Sequence, residues 1–247
     1  MKKKAIYGRR NVEEFITNCD WSQIKDIWVK ESYYGEAVSS LLKDLPDKSL
    51  VKKKPGAELD KILNGGNHQG IVIWVLDKLT SSKNLGFAEW KAQVSPHEGP
   101  VLILDRIQDP GNLGNIIRTA ECMGVKSIVI PDRGACGITD TVIKISSGAL
   151  HHLNIYSVPN LSRVVDVLKE NEYWIVATTD QGDEDWSALP TGDDIAIIMG
   201  NEGEGVKRLL LDESDYQMRI PLHGNISSMN VSVACGIVLD RIVNARY

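Results

Sequence analysis

Between Pro100 and the C-terminus, short segments that are apolar throughout alternate with segments of helical spacing. "PVLILD", "KSIVIP", "LNIYSV", "YWIVATT", "DIAIIMG" and "YQMRIPL" read as strands. "NIIRTAECMGV", closed by Gly124, "TDTVIKISSGAL", "LSRVVDVLKEN", "VKRLLLDES" and the last segment from Val231 read as helices. A strand that is apolar on both faces has to be covered on both faces. The expected class is therefore α/β, a parallel sheet between two layers of helices. Ligands of such sheets sit beyond the carboxyl ends of the strands. That rule places three loops side by side: "RIQDPGNLG" from Arg106, "GNEGEG" from Gly200 and "HGNISSMN" from His223.

The first part of the chain is a smaller α/β unit. "NVEEFITNC", "GEAVSSLLKDL" and "GAELDKILN" have helical spacing, "IKDIWVK" and "GIVIWVL" read as strands, and "NGGNHQG" is a turn. The expected organisation is a domain over 1–76, a linker over 77–99 with one helical turn around 87–92, and a second domain over 100–247. No repeat or low-complexity segment interrupts it.

The net charge of −5 is unevenly spread: residues 1–55 carry +4 and the remainder −9. The lysine runs at Lys2–Lys4 and Lys52–Lys54 and the pair Arg9–Arg10 either meet nucleic-acid phosphates or are solvated surface. Cys19, Cys122, Cys136 and Cys235 are scattered, without metal or redox spacing. No run approaches the roughly 18 apolar residues of a membrane span. The N-terminal lysines are followed by no apolar core, so a cytoplasmic protein is expected.

The three loops differ in chemistry. The first turns at Asp109–Pro110–Gly111 and enters a helix on which Arg118 is expected in or near the first turn. A cation there adds to the positive helix end, which suits a site completed by an anion. A solvent-exposed arginine is the alternative, and Asn112 either joins the site or caps the helix. "GNEGEG" has neither the Gly-Lys-Ser/Thr of a phosphate loop nor the spacing of a dinucleotide fingerprint. That counts against a nicotinamide oxidoreductase. Glu202 and Glu204 repel phosphate and suit a neutral or cationic ligand, or else form a solvated turn. In the third loop Ser227, Ser228 and Asn230 stand before a helix that is apolar almost all round, which has to be buried in a core or against a partner.

"LDRIQDPGNLGNIIRTAECMGV", "IIMGNEGEGV" and "RIPLHGNISSMNVSVACGIVL" resemble, in order and spacing, the three motifs of the SpoU (TrmH-like) RNA ribose 2′-O-methyltransferases. The resemblance runs from Val101 to the end. "AIYGRRNVEEFI" and "NHQGIV" are similar to the substrate-binding domain that precedes the catalytic domain in members acting on ribosomal RNA. Met229 stands where leucine is commoner in the family, and Cys235 where alanine or threonine is usual.

The resemblance implies a SPOUT-type α/β domain whose C-terminal segment makes a deep trefoil knot, which pattern reading alone does not give. With it comes a small N-terminal α/β domain of a ribosomal-protein type. It implies S-adenosylmethionine held largely by backbone at Gly200, Ile220, Leu222 and Met229, with Thr178 nearby, and no metal. It assigns Arg118 the central catalytic role, with Asn112, Glu202, Ser228 and Asn230 around it. Structured RNA is the implied substrate, ribosomal RNA first, though transfer RNA members share the motifs. A homodimer through the last helix is implied, with Ile237, Val238 and Ile242 as candidate contacts. A noncatalytic RNA-binding protein is the rival of another class.

Overall fold

The computed structural model describes residues 3–18, 21, 24–33, 40, 42–43, 45–63, 67–76, 85–96, 99–183, 185–189 and 194–244. The chain divides into two compact units, Met1–Ser82 and Lys83–Tyr247.

In the first unit, β1 (Lys3–Tyr7), β2 (Ile24–Lys30), β3 (Val51–Lys54) and β4 (Ile71–Leu76) form a sheet in the order β1-β4-β2-β3. Helix α1 (Arg9–Asn18) buries Val12, Phe15 and Ile16 against Ile27, Val29, Ile71, Ile73 and Val75. Alternate residues of β2 and β4 supply that face, as period-2 strands require. Helix α2 (Gly56–Ile62) follows β3 and buries Leu59. The helix expected over "GEAVSSLLKDL" lies largely outside the described residues. Both lysine runs contribute to strands, β1 and β3, which their composition hides because lysine is depleted in strands. Lys52 pairs with Asp26, and Lys54 pairs with Glu58 at 2.8 Å while its ammonium lies 5.0 Å from the Trp28 ring.

In the second unit, β5 (Val101–Leu104), β6 (Ser127–Pro131), β7 (Asn154–Val158), β8 (Trp174–Asp183), β9 (Ile195–Met199) and β10 (Tyr216–Met218) form one sheet in the order β10-β8-β9-β5-β6-β7. Every neighbouring pair in it is parallel. All but the edge strand β10 feed both faces: Leu102 and Leu104 enter one core, Val101 and Ile103 the other. The first core is covered by α4 (Pro110–Cys122), α5 (Asp140–Ile145) and α8 (Val231–Asn244). The second is covered by α6 (Ser162–Glu170) and α7 (Arg208–Asp212), and by Trp90 of the short helix α3 (Phe87–Lys91). Stretch 85–95, within the expected linker, is thus part of this unit: Ser157 donates to the Leu85 carbonyl at 2.8 Å and the Tyr173 hydroxyl to that of Ser95 at 3.1 Å.

Helix α8 corrects one expectation. Val238 and Ile242, proposed as dimer contacts, are buried in the chain's own core with Val231, Cys235 and Leu239. Val233 on the same helix remains 53% exposed. Burial pushes the Cys235 thiol up to about 12, so it serves as an inert packing residue. Among the described residues no helix is long and apolar enough to cross a membrane.

Candidate active site at the sheet switch point

Strands β5 and β9 are neighbours, but their connections leave in opposite directions: β5 leads through α4 to β6, and β9 through α7 to β10. Their helices cover opposite faces of the sheet. Such a reversal opens a crevice at the carboxyl ends of the two strands. The loops 105–109 and 200–207 are the ones that flank it.

The first loop ends in a built helix start. The Asp109 carboxylate accepts from the Asn112 backbone N–H at 2.7 Å, and Pro110 occupies the first helical position, where its missing N–H costs nothing. Gly114 lets α4 and α5 touch, because a Cβ there would lie 2.7 Å from Ile145 Cβ. Starting the helix at Pro110 makes Arg118 its ninth residue, more than two turns in. The expected position beside the positive helix end is therefore wrong, and the anion argument built on the dipole falls with it. Arg118 is exposed, sharing the outer stripe of α4 with Asn115 and Cys122.

The second loop is a closed bridge. Asn201 and Gly205 exchange backbone hydrogen bonds at 3.2 and 2.9 Å, and the Asn201 side-chain oxygen accepts from Gly203 N–H at 2.8 Å. Gly200 is required by that closure, since a Cβ would lie 2.2 Å from Gly205 C and Val206 N. The two acids of the loop are engaged within the protein. Glu202 accepts from the Asn112 side-chain amide, and Glu204 from the Arg106 guanidinium.

The third loop meets the first through Asn230, whose amide donates to Asn112 Oδ1 at 3.0 Å. Asn230 also caps α8, accepting from Ser232 N–H at 2.9 Å. Glu202, Asn112 and Asn230, one from each loop, thus form a continuous hydrogen-bonded chain. Ser227 and Ser228 stay exposed and take no part in the cap. From Ile220 to Met229, among the described residues, no backbone or side-chain group makes a hydrogen bond within the chain. Leu222 and Ile226 in that segment are 42% and 77% exposed. Thr178, midway along β8, donates to the Ile198 carbonyl at 3.1 Å.

Residues 99–240 match the SpoU rRNA methylase family, and residues 5–80 match the family of RNA 2′-O ribose methyltransferase substrate-binding domains. A protein of Staphylococcus aureus (strain COL), described as a TrmH family tRNA/rRNA methyltransferase, is 33% identical over 250 residues, spanning 100% of this chain and 98% of its own. The chain belongs to the SpoU/TrmH family of RNA methyltransferases. Solved structures of the same fold include an RNA 2′-O ribose methyltransferase, with a TM-score of 0.78 and 22% identity over 99% of this chain and 89% of that one. Another is the AdoMet-bound rRNA methyltransferase from Sinorhizobium meliloti, with a TM-score of 0.76 and 23% identity over 99% of this chain and 88% of that one.

Two residues of these motif loops escape a reading by residue type. Asn201 shapes the second loop and donates from its amide to the Arg106 carbonyl at 3.0 Å. Arg106 sits in the left-handed region (φ 60°) and grips the buried Asp105 carboxylate at 3.1 and 3.3 Å.

Proposed function

We propose that this protein transfers the methyl group of S-adenosylmethionine to a ribose 2′-hydroxyl of structured RNA, with ribosomal RNA as the target. The observation that carries the reading is the chain Glu202–Asn112–Asn230 at the switch point, beside a segment whose backbone is free to bind. S-adenosylmethionine supplies an electrophilic methyl on a sulfonium. The residues present suit it. Ile220–Met229 offers unpaired backbone donors and acceptors at Ile220, Leu222 and Met229 for an adenosine, and contains no Lys or Arg to repel a sulfonium. Gly200 keeps the second loop closed on Gly205 and Val206, and Thr178 stands midway along β8, the strand next to β9.

Asn112 is held from both sides, so its amide has one orientation and can present a ribose in fixed geometry. Asn230 and Glu202 maintain that orientation, and the exposed Ser228 hydroxyl is free to meet the ribose. Arg118 clamps the target phosphate and stabilises the developing alkoxide, a task suited to a planar guanidinium. It lies six residues beyond Asn112, about 9 Å along the helix and roughly 120° around it. That outer position fits service to the site of a second subunit better than service to its own. The exposed Val233 and Ile226 give a second copy an apolar surface to meet, and the family's trefoil knot belongs to the same reading.

Ribosomal RNA is favoured by the substrate-binding match over 5–80, by the +4 charge of residues 1–55, and by the rRNA methyltransferase of S. meliloti sharing the fold along 99% of this chain. The test is a map of ribose methylation in RNA from cells with and without the protein. One 2′-O-methyl site missing from large-subunit ribosomal RNA is the expected result. A site missing only from transfer RNA overturns the target, and an unchanged map overturns the activity.

A further inference from the structure

Arg106 makes more connections than any other side chain around the crevice. Its Nε and Nη2 donate to the two Asp105 oxygens, Nη2 also reaches the Gly205 carbonyl at 3.4 Å, and Nη1 donates to Glu204. Its own carbonyl accepts from Asn201, and Lys207 N–H binds the same Asp105 carboxylate at 2.9 Å. The hydrogen bond to Asp105 raises the Arg106 pKa further, so the guanidinium is charged at any working pH. A non-glycine residue at φ 60° is disfavoured, and such strain persists only where surrounding contacts over-determine it. Apart from the bonds to Asp105, those contacts run to the loop after β9.

We propose that Arg106 is a positioning residue. By gripping Glu204 and Gly205 it fixes one side of the second loop, while the Glu202–Asn112 bond fixes the other. Asn112 therefore presents its amide at one distance from the crevice. Arg106 touches neither substrate nor cofactor; it acts through Glu202. The proposal rests on the methyl-transfer reading for its consequence, but not for its geometry.

The test uses the full-length protein. Arg106→Ala would strand the buried Asp105 carboxylate and endanger the fold, so the cut is made at the other end with Glu204→Ala. Arg106→Lys, which keeps the charge and loses the fork, is the second variant, and the two are combined in a third. Amide hydrogen exchange of Gly203 and Glu204 is read without RNA or cofactor, and single-turnover methyl transfer to ribosomal RNA is read at saturating S-adenosylmethionine. Both single variants are expected to speed exchange of the loop and slow transfer about tenfold, since small misplacement is costly in a positioned reaction. The double variant should be no slower than the slower single one, because both cut the same connection. A purely structural arginine would lower the melting temperature and leave the transfer rate intact. Unchanged exchange, or independent losses that multiply, overturns the strut. A parental protein that transfers no methyl overturns the proposed activity while the exchange readout still decides the strut.

Discussion

The two halves of the proposed site are built on opposite principles. The Asn112 side chain is held on both sides by other side chains, from loops far apart in sequence. From Ile220 to Met229, among the described residues, the chain makes no hydrogen bond of its own; Leu222 and Ile226 are exposed while Ile220 packs against the core. The difference teaches a division of labour. Fixed side chains suit a reaction in which orientation decides the rate, whereas a free backbone suits a ligand recognised by donors and acceptors that any sequence supplies.

Breaking the fixed half should give the largest effect. Asn230→Ala removes the tie to Asn112 and the cap of α8 together. Methyl transfer should fall about 100-fold while S-adenosylmethionine affinity changes less than about threefold. Loss of the cap should lower stability by about 1 kcal/mol, read by denaturant titration. Equal losses of affinity and rate would erase the division.

Gly200→Ala strikes the closure of the second loop on Gly205 and Val206. Its Cβ collides with backbone, which cannot rotate away, so about 3 kcal/mol of stability should be lost. Cofactor binding, followed by calorimetry below the melting temperature, should weaken with it. An unaffected melting temperature would mean that the loop closes differently.

The smallest effect is expected in the free half. Ile226→Ser exchanges a side chain that is 77% exposed, and stability of the protein at low concentration should stay within about 0.5 kcal/mol of the parent. A larger loss would show that the segment is packed after all.

The fixed half was largely legible in the sequence, because polar residues clustered beside turns and apolar strands announce a site. The alternation that gave the parallel sheet also placed its loops correctly. Arg118 lies deeper in its helix than the turn pattern of "DPGNLG" suggests, because Asp109 and Pro110 together mark the helix cap and first residue. The connections of Arg106 were invisible because nothing local links it to Glu204, 98 residues away. The free half cannot be read from residue type at all, since backbone recognition leaves no side-chain signature; only resemblance singled out Ile220, Leu222 and Met229. The strands β1 and β3 were hidden by their lysines.

Ribose methylation should depend on the side chains joined at Asn112. The direct measurement is single-turnover transfer of a labelled methyl from S-adenosylmethionine to ribosomal RNA taken from cells lacking the protein, using the parent and Asn112→Ala. Label is expected on one ribose 2′-oxygen with the parent, and a rate about 100-fold lower with Asn112→Ala at nearly unchanged cofactor affinity. Label on a base, or an undiminished rate in Asn112→Ala, would contradict it.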